Sequence, residues 1–481
     1  MSVASAAASG ARLTITGQIL RFGVQLVSIM VLSRLLTVSD FGYFGMIAAI
    51  TGAAVLIGDF GLSSASMQAR SISDQQRSNL FWVNSGIGLI AALLLFAFAD
   101  PLANFYGQGG LVPLICALSA VFVLSSLTTQ YYADAAREMK FKLLAVADVV
   151  APITGLLVAI LLAVSGAGVW SLVAQQLVTL SVRLLIVAVG TRWIPRLPAR
   201  APMRGLLTFG LSAFGVQALN YVSSSIDSVL IGRYLGPAQL GLYDRAYQLF
   251  KLPMQQIAAP LTRVALPVLA RQQDDMGRLN SAIRRAHHLI ILLIGAALTF
   301  LLAAGQAVIG VFLGAGWSGA TPVLSILAVG GFFQMSGYAY YWAFLATGRT
   351  TLQLKFSVVT RVLMIALILV SVQFGLLGVA AGVSLGLVLN WLVLTIWPVR
   401  AIGIEIKPLL RESVRPMVAH IIAGTLTFLV GLWLVGFQLP PILILSAQAL
   451  CALLSYALLA VLSRGLRRDF HVIYQFVRSS L

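Results

Sequence analysis

Charge is what this sequence has least of. Only 10% of its 481 residues are charged, against about a quarter in soluble proteins. Acidic groups are the scarcer kind, 14 Asp and Glu beside 32 Lys and Arg, while 59% of the chain is hydrophobic. Such a composition cannot cover a water-facing surface, so a soluble globular fold is excluded. Cysteine is almost absent: Cys116 and Cys451 lie far apart in apolar segments and make no disulfide framework. The four histidines, His287, His288, His420 and His471, are scattered near chain turns and tails without metal-ligand spacing, and no metal centre is expected. No Gly-rich phosphate loop of the form GxxxxGK followed by Ser or Thr occurs, which removes a built-in ATPase. The first residues, MSVASAAASGAR, lack the basic-then-apolar order of a secretory leader, and none is expected.

What is present is apolar length. Runs of about 20 residues, each enough to cross a hydrocarbon core of about 30 Å, recur from Leu13 to Ser463. Cutting at charged and Gly/Pro-rich breaks predicts fourteen spans: 13–35, 42–66, 78–99, 111–133, 143–164, 168–190, 206–231, 239–266, 284–304, 320–346, 353–373, 376–398, 414–436 and 442–463. The runs are continuous rather than alternating, so they are helices and not barrel strands. Of the 32 basic residues, 25 fall at the N-terminus, the C-terminal tail or every second connection, while the alternate connections hold only Arg34 and Arg233. That bias places the termini and the basic loops in the cytoplasm. It also accounts for most of the net charge of +18, so the basic loops face anionic headgroups and nucleic acid is not an expected partner.

The stretch SRLLTVSDFGYF (Ser33–Phe44) returns 199 residues later as GRYLGPAQLGLY (Gly232–Tyr243), with Arg34 on Arg233 and Gly42 on Gly241. The same offset holds inside the spans that precede these stretches. Span 1 carries Thr14, Gln18, Arg21, Gln25 and Ser28 on one helical face, and the offset leads to Ala213, Gln217, Asn220, Ser224 and Asp227. Two parallel halves, each with a polar stripe, suit a transporter with a pathway between them. Polar stripes also glue helices together through hydrogen bonds, but ionised groups need a partner or a water-filled cavity. This singles out Arg21 and Asp227, and with them the deep cations Lys251 and Arg361. Lys251 shares a stripe with Asp244, Gln248 and Gln255, whereas the offset-matched Gly45, Ala49, Gly52 and Leu56 are uncharged. Arg183 reads as a cation that snorkels to the cytoplasmic surface, and Tyr131-Tyr132 and Tyr340-Tyr341-Trp342 as packing or interfacial anchors.

Several segments resemble the Wzx-type flippases, the polysaccharide-transporter branch of the multidrug/oligosaccharidyl-lipid/polysaccharide (MOP) exporter superfamily, especially members similar to the colanic acid exporter. They are LSRLLTVSDFGYFG after span 1, DFGLSSASMQAR (Asp59–Arg70), AAREMKFKLLA (Ala135–Ala145), IGRYLGPAQLGLYDRAYQL, KLPMQQIAAPLTRVALPVLARQQDD and LATGRTTLQLKF (Leu345–Phe356). The resemblance covers nearly the whole chain. It implies an all-α polytopic membrane protein of about 14 helices in two pseudo-symmetric halves around a central cavity: residues 1–200, the repeat half 201–398, and 399–481 with the last two spans and tail. It implies a flippase for an undecaprenyl-pyrophosphate-linked oligosaccharide in the bacterial inner membrane, working by alternating access for exopolysaccharide or lipopolysaccharide assembly. A polymerase and a chain-length regulator are the implied partners. Arg21, Lys251 and Arg361 would then be the cavity cations that meet the substrate, with Gln18, Gln25, Gln217, Asn220 and Ser224 as polar lining. No cofactor is implied; proton or sodium coupling would use Asp227 or Asp59. The alternative reading is a multidrug-type exporter with ion antiport, which should show an intramembrane carboxylate cluster; Asp59, Asp148 and Asp227 lie on separate spans. An enzyme is disfavoured, because the longest external connection, DPLANFYGQGGL, holds the single carboxylate Asp100 and no acid/base pair.

The predicted topology is testable. Single cysteines near residues 38, 105, 166, 236, 312, 375 and 439 should react with an impermeant thiol reagent from the periplasmic side, while Arg200→Cys and Arg278→Cys should stay unlabelled. The opposite pattern would overturn the span assignment.

Overall fold

The computed structural model describes residues 3–54, 57, 61, 62, 66, 72–463 and 465–467, with side chains of the first helix described from Gly17 onward. Among these the regular structure is helical, with no strand. The long helices are α1 (Val3–Leu35), α2 (Val38–Thr51), α3 (Asp74–Ala97), α4 (Leu111–Arg137), α5 (Phe141–Val164), α6 (Trp170–Thr191) and α7 (Arg204–Leu235). They continue as α8 (Pro237–Ala270), α9 (Met276–Ala303), α10 (Ala320–Ala346), α11 (Thr350–Ser371), α12 (Gly375–Ile396), α13 (Ile406–Val435) and α14 (Pro441–Leu462). Each predicted span from 78–99 onward falls on one of them, as does 13–35; span 42–66 is represented by α2, and part of its remainder lies outside the described residues.

Among the described residues, ten stretches are long and apolar enough to cross a membrane, one of which, Thr351–Ala401, runs through both α11 and α12. The chain is a multi-pass membrane protein. The helices α7 and α8 are not among the ten; α7 carries Gln217, Asn220 and Asp227, and α8 carries Asp244, Arg245, Gln248 and Lys251.

Packing divides the chain into two compact units, Met1–Gly241 and Leu242–Leu481. This differs from the sequence division at 200/201, which follows the repeat. The physical reason is α7, whose Tyr221 hydroxyl donates to the Ala49 carbonyl of α2 at 2.9 Å. A side chain on Gly52 would collide with that hydroxyl, so the bare glycine admits the crossing. Residues 399–481 do not stand apart either, because α13 packs on α9 and α14 on α13. Within each unit the same pairings recur at repeat-equivalent helices. In the first, α3 packs on α4, α4 on α6 and α5 on α6; in the second, α9 packs on α10, α10 on α12 and α11 on α12. Small residues permit the closeness that membrane helices need: Ala147, Ala151 and Ala159 of α5 are completely buried.

Among the described residues, equivalent positions of the repeat meet each other inside the first unit. A Cβ on Gly42 would overlap the backbone carbonyl of Pro237, and one on Gly241 would overlap the carbonyl of Val38. These are the same contact twice, since Val38 and Pro237, like Gly42 and Gly241, are 199 residues apart. The start of α2 is fixed locally by a capping box. The Thr37 hydroxyl accepts from the Asp40 amide at 3.2 Å, while Asp40 Oδ2 accepts from the Thr37 amide at 2.9 Å.

A second symmetric feature ties down the exit of each half. Asn79 of α3 donates from Nδ2 to the Ala199 carbonyl (2.7 Å) and accepts from the Ala199 amide (3.2 Å). Asn280 of α9 likewise donates to the Gly403 carbonyl (3.1 Å) and accepts from the Glu405 amide (3.0 Å). The first exit segment is held further. Gln75, Gln76 and Trp82 donate to the carbonyls of Leu197, Pro202 and Arg196, each at 2.9 Å. The Arg77 guanidinium lies 4.2 Å from the centre of the Trp193 ring. Pro195, Pro198 and Pro202 keep this segment from joining a helix, and the backbone groups of Arg196 and Ala199 find side-chain partners on α3 instead.

The glycine contact predicts an asymmetric pair of outcomes. Gly42→Ala or Gly241→Ala must push apart two backbones and should cost about 1–3 kcal/mol as overpacking. Gly86→Ala, in open space on α3, should be neutral or stabilising through helix propensity. Thermal unfolding of the detergent-purified variants reads this directly; equal melting for all three would remove the contact from the fold's determinants.

Candidate functional site

The polar stripe of α1 survives in three dimensions, but its members differ in setting. Gln18 and Arg21 are exposed and Gln25 is half-buried. Ser28 accepts a hydrogen bond from Gln175 Nε2 of α6 at 3.0 Å, so the upper end of the stripe packs while the lower end stays open. Arg21 has no hydrogen-bond or ion-pair partner among the described residues. It lies within electrostatic reach of the Tyr132 hydroxyl on α4.

The matched stripe on α7 has diverged. Gln217 and Ser224 are exposed, and Ser224 donates back to the Tyr221 carbonyl at 3.0 Å. Asp227 is instead buried, only 3% exposed, and accepts from the Ser228 amide at 2.9 Å. The side chains of Thr14, Ala213 and Asn220, and the whole of Asp59, lie outside the described residues.

Lys251 and Arg361 belong to the second unit, and both are half-buried. The Lys251 ammonium sits 4.1 Å from the centre of the Tyr247 ring, a cation–π contact. Tyr247 in turn stacks on Tyr243 at 5.5 Å and leans on Phe250 at 5.8 Å. Tyr243, Tyr247 and Lys251 follow one another every four residues, so one face of α8 carries the cation on an aromatic support. Of the two external arginines, Arg34 is exposed, and Arg233 lies 5.7 Å from the centre of Phe105 and 5.6 Å from that of Tyr234.

Three side chains that the sequence did not mark as site residues come together in the first unit. Arg183 of α6, read from the sequence as a snorkelling cation, is held in an ion pair. Its Nη2 lies 3.2 Å from Asp148 Oδ1 of α5, with both side chains 23% exposed. Tyr132 of α4 donates its hydroxyl to the other carboxylate oxygen at 2.9 Å. Tyr131 joins an aromatic cluster with Phe81 and Trp193, and Tyr340 and Trp342 are completely buried, so these rings pack inside the protein.

His471 lies outside the described residues, but two of the other histidines are placed differently from the expectation of turns and tails. His287 of α9 and His420 of α13 are both buried, each 2% exposed, and line one cavity of about 700 Å³ in the second unit. Ser413, Thr299, Phe333 and Trp391 line it too. The Ile291 carbonyl 3.0 Å from His420 Nε2 can only accept, so Nε2 carries the hydrogen and the Tyr456 hydroxyl donates to Nδ1 at 2.8 Å. Their separation of 133 residues concealed this convergence of α9 and α13.

Comparison with known proteins agrees with this architecture. The chain is 26% identical to the lipopolysaccharide biosynthesis protein WzxC of Escherichia coli (strain K12), over 93% of this chain and 88% of that protein. It is 25% identical to the teichuronic acid biosynthesis protein TuaB of Bacillus subtilis (strain 168), over 94% and 95% respectively. Its fold is that of the lipid II flippase MurJ in an inward closed conformation, with a TM-score of 0.73, 16% identity and coverage of 96% of this chain and 99% of that one. The polysaccharide biosynthesis protein family matches residues 31–322, well over half of the sequence, and the chain belongs to that family.

Proposed function

We propose that this protein is a flippase moving an undecaprenyl-pyrophosphate-linked oligosaccharide repeat unit across the bacterial inner membrane by alternating access, with both termini cytoplasmic. Arg21 carries the reading. It is an exposed guanidinium on a membrane helix, beside Gln18, with no hydrogen-bond or ion-pair partner among the described residues. A charge so placed is costly in hydrocarbon unless water or an anionic ligand meets it. Its planar fork suits two oxygens of one phosphate. Lys251, a compact charge held on the Tyr247 face, and Arg361 are the corresponding candidate cations of the second unit.

The relatives are named for different glycans, lipopolysaccharide and teichuronic acid, which favours recognition of a linking group over recognition of one sugar. Transport rather than catalysis is the role, and no cofactor is required. Proton or sodium movement would supply the energy, with Asp227 the described carboxylate best placed on α7 and Asp59 the second candidate. A polymerase and a chain-length regulator would consume the delivered unit. Membrane lipids surround the protein throughout.

Loss of one charge-assisted contact costs about 1.5–3 kcal/mol, roughly 10- to 150-fold in affinity. Arg21→Ala and Lys251→Ala should therefore abolish or strongly reduce polymer export at near-normal membrane levels, measured as secreted polysaccharide in a deletion strain carrying each variant. Arg21→Lys should rescue only partly, since the fork is lost, and the solvent-screened Arg34→Ala should be mild. Normal export in the first two together with failure of Arg34→Ala would shift the function to the Arg34/Arg233 pair. In the same assay Asp227→Asn should lower export while the protein stays folded; full activity would leave Asp227 a structural role.

A further inference from the structure

We propose that Arg183 and Asp148 form a latched oxyanion site in the first unit, in which Asp148 holds the guanidinium until a pyrophosphate group displaces it. This rests on the flippase reading and adds to it a substrate-contacting residue outside the α1 and α8 stripes.

The donors do not balance. A guanidinium has five N–H donors, and the ion-pair contact of Arg183 with the carboxylate is made at Nη2, 3.2 Å from Oδ1. Its Nε is buried without a hydrogen-bond partner among the described residues. The carboxylate is better served, because its second oxygen already takes the Tyr132 hydroxyl. A membrane arginine with unused donors and a well-supplied acceptor beside it is arranged to take a further oxyanion. A phosphate can offer two parallel contacts to the guanidinium fork.

A second cation is at the right depth. The Gln175–Ser28 hydrogen bond ties α6 to α1. From that tie, Arg183 lies eight residues along α6 and Arg21 seven residues back along α1. As the sixth and first crossings these helices run in opposite directions, so the two steps, about 12 Å and about 10 Å at 1.5 Å per residue, lead to the same level. Both arginines also lie within electrostatic reach of the one Tyr132 hydroxyl. Two guanidinia and one carboxylate leave a net single positive charge in the resting site. A pyrophosphate diester brings two negative charges, one for each guanidinium. When it binds, the hydrogen bond from Tyr132 keeps Asp148 from being stranded. When it leaves, Asp148 recovers Arg183, which spares the membrane a bare charge.

The test uses the full chain in phosphatidylcholine nanodiscs with farnesyl pyrophosphate as the probe. The native protein should bind it, and Arg183→Gln should weaken binding about 10- to 100-fold. Asp148→Asn should tighten it by removing the internal competitor, and the double variant should match Arg183→Gln. Arg183→Lys keeps the ion pair without the fork; it should fold, remain monodisperse, and bind several-fold more weakly. Native-like binding by Arg183→Lys or Arg183→Gln, or no gain in Asp148→Asn, overturns the latch while leaving the flippase reading intact. Failure of the native protein to bind the probe overturns both. Equal competition by inorganic pyrophosphate would support recognition of the pyrophosphate itself. Abolition of binding by phosphatidylglycerol in the disc would assign the site to bilayer headgroups and overturn the proposal.

Discussion

Two glycines facing two carbonyls set the close approach on which the placement of α2 beside α7 depends. Gly42 against Pro237 and Gly241 against Val38 bring the turn after α1 and the turn after α7 into direct backbone contact. No side chain fits between them, and no hydrophobic force holds membrane helices together, so close approach and its dispersion contacts must do so. From that contact α2 takes up its place beside α7, Tyr221 reaches Ala49 over the bare Gly52, and Tyr106 can lie under Gly232. The reciprocity is the form that two copies of one segment adopt about a local two-fold axis.

Equivalent positions have since taken different roles. Gly52 makes room for a tyrosine, while Lys251, 199 residues on, carries a charge above an aromatic ring. Asp227 is buried where its counterpart Ser28 bonds to Gln175. Charge within the helices is thus handled in three ways: pairing at Asp148 and Arg183, aromatic support at Lys251, and exposure at Arg21. Each way meets the cost of a charge in a low-dielectric region by a different route.

Much of this was legible in the sequence, for a definite reason. Apolar length and its interruptions specify membrane helices directly, so most helix positions could be read from composition along the chain. The gapless match of Ser33–Phe44 with Gly232–Tyr243 likewise gave the repeat that the glycines later display in space. What stayed hidden depends on how helices rotate about their axes, which hydropathy does not encode when every face is apolar. Arg183 looked like a surface cation because its partner is 35 residues away on another helix. His287 and His420 looked scattered for the same reason. Asn79 and Asn280 carried no signal at all, since a lone asparagine near a helix start is ordinary. Only the carbonyls of Ala199 and Gly403 reveal their purpose.

Those two asparagines bear on how the protein is made. Each grips the segment by which its own half of the chain leaves, and every group needed for the first grip lies between residues 75 and 202. A chain emerging from the ribosome N-terminus first therefore has the means to close that end of its first half before α9 has been synthesised. The second half can repeat the operation with Asn280 and residues 403–405. Assembly can then proceed as two successive closures, each completed locally, and an apolar chain of this length need not wait for its last helix to begin sheltering its polar backbone.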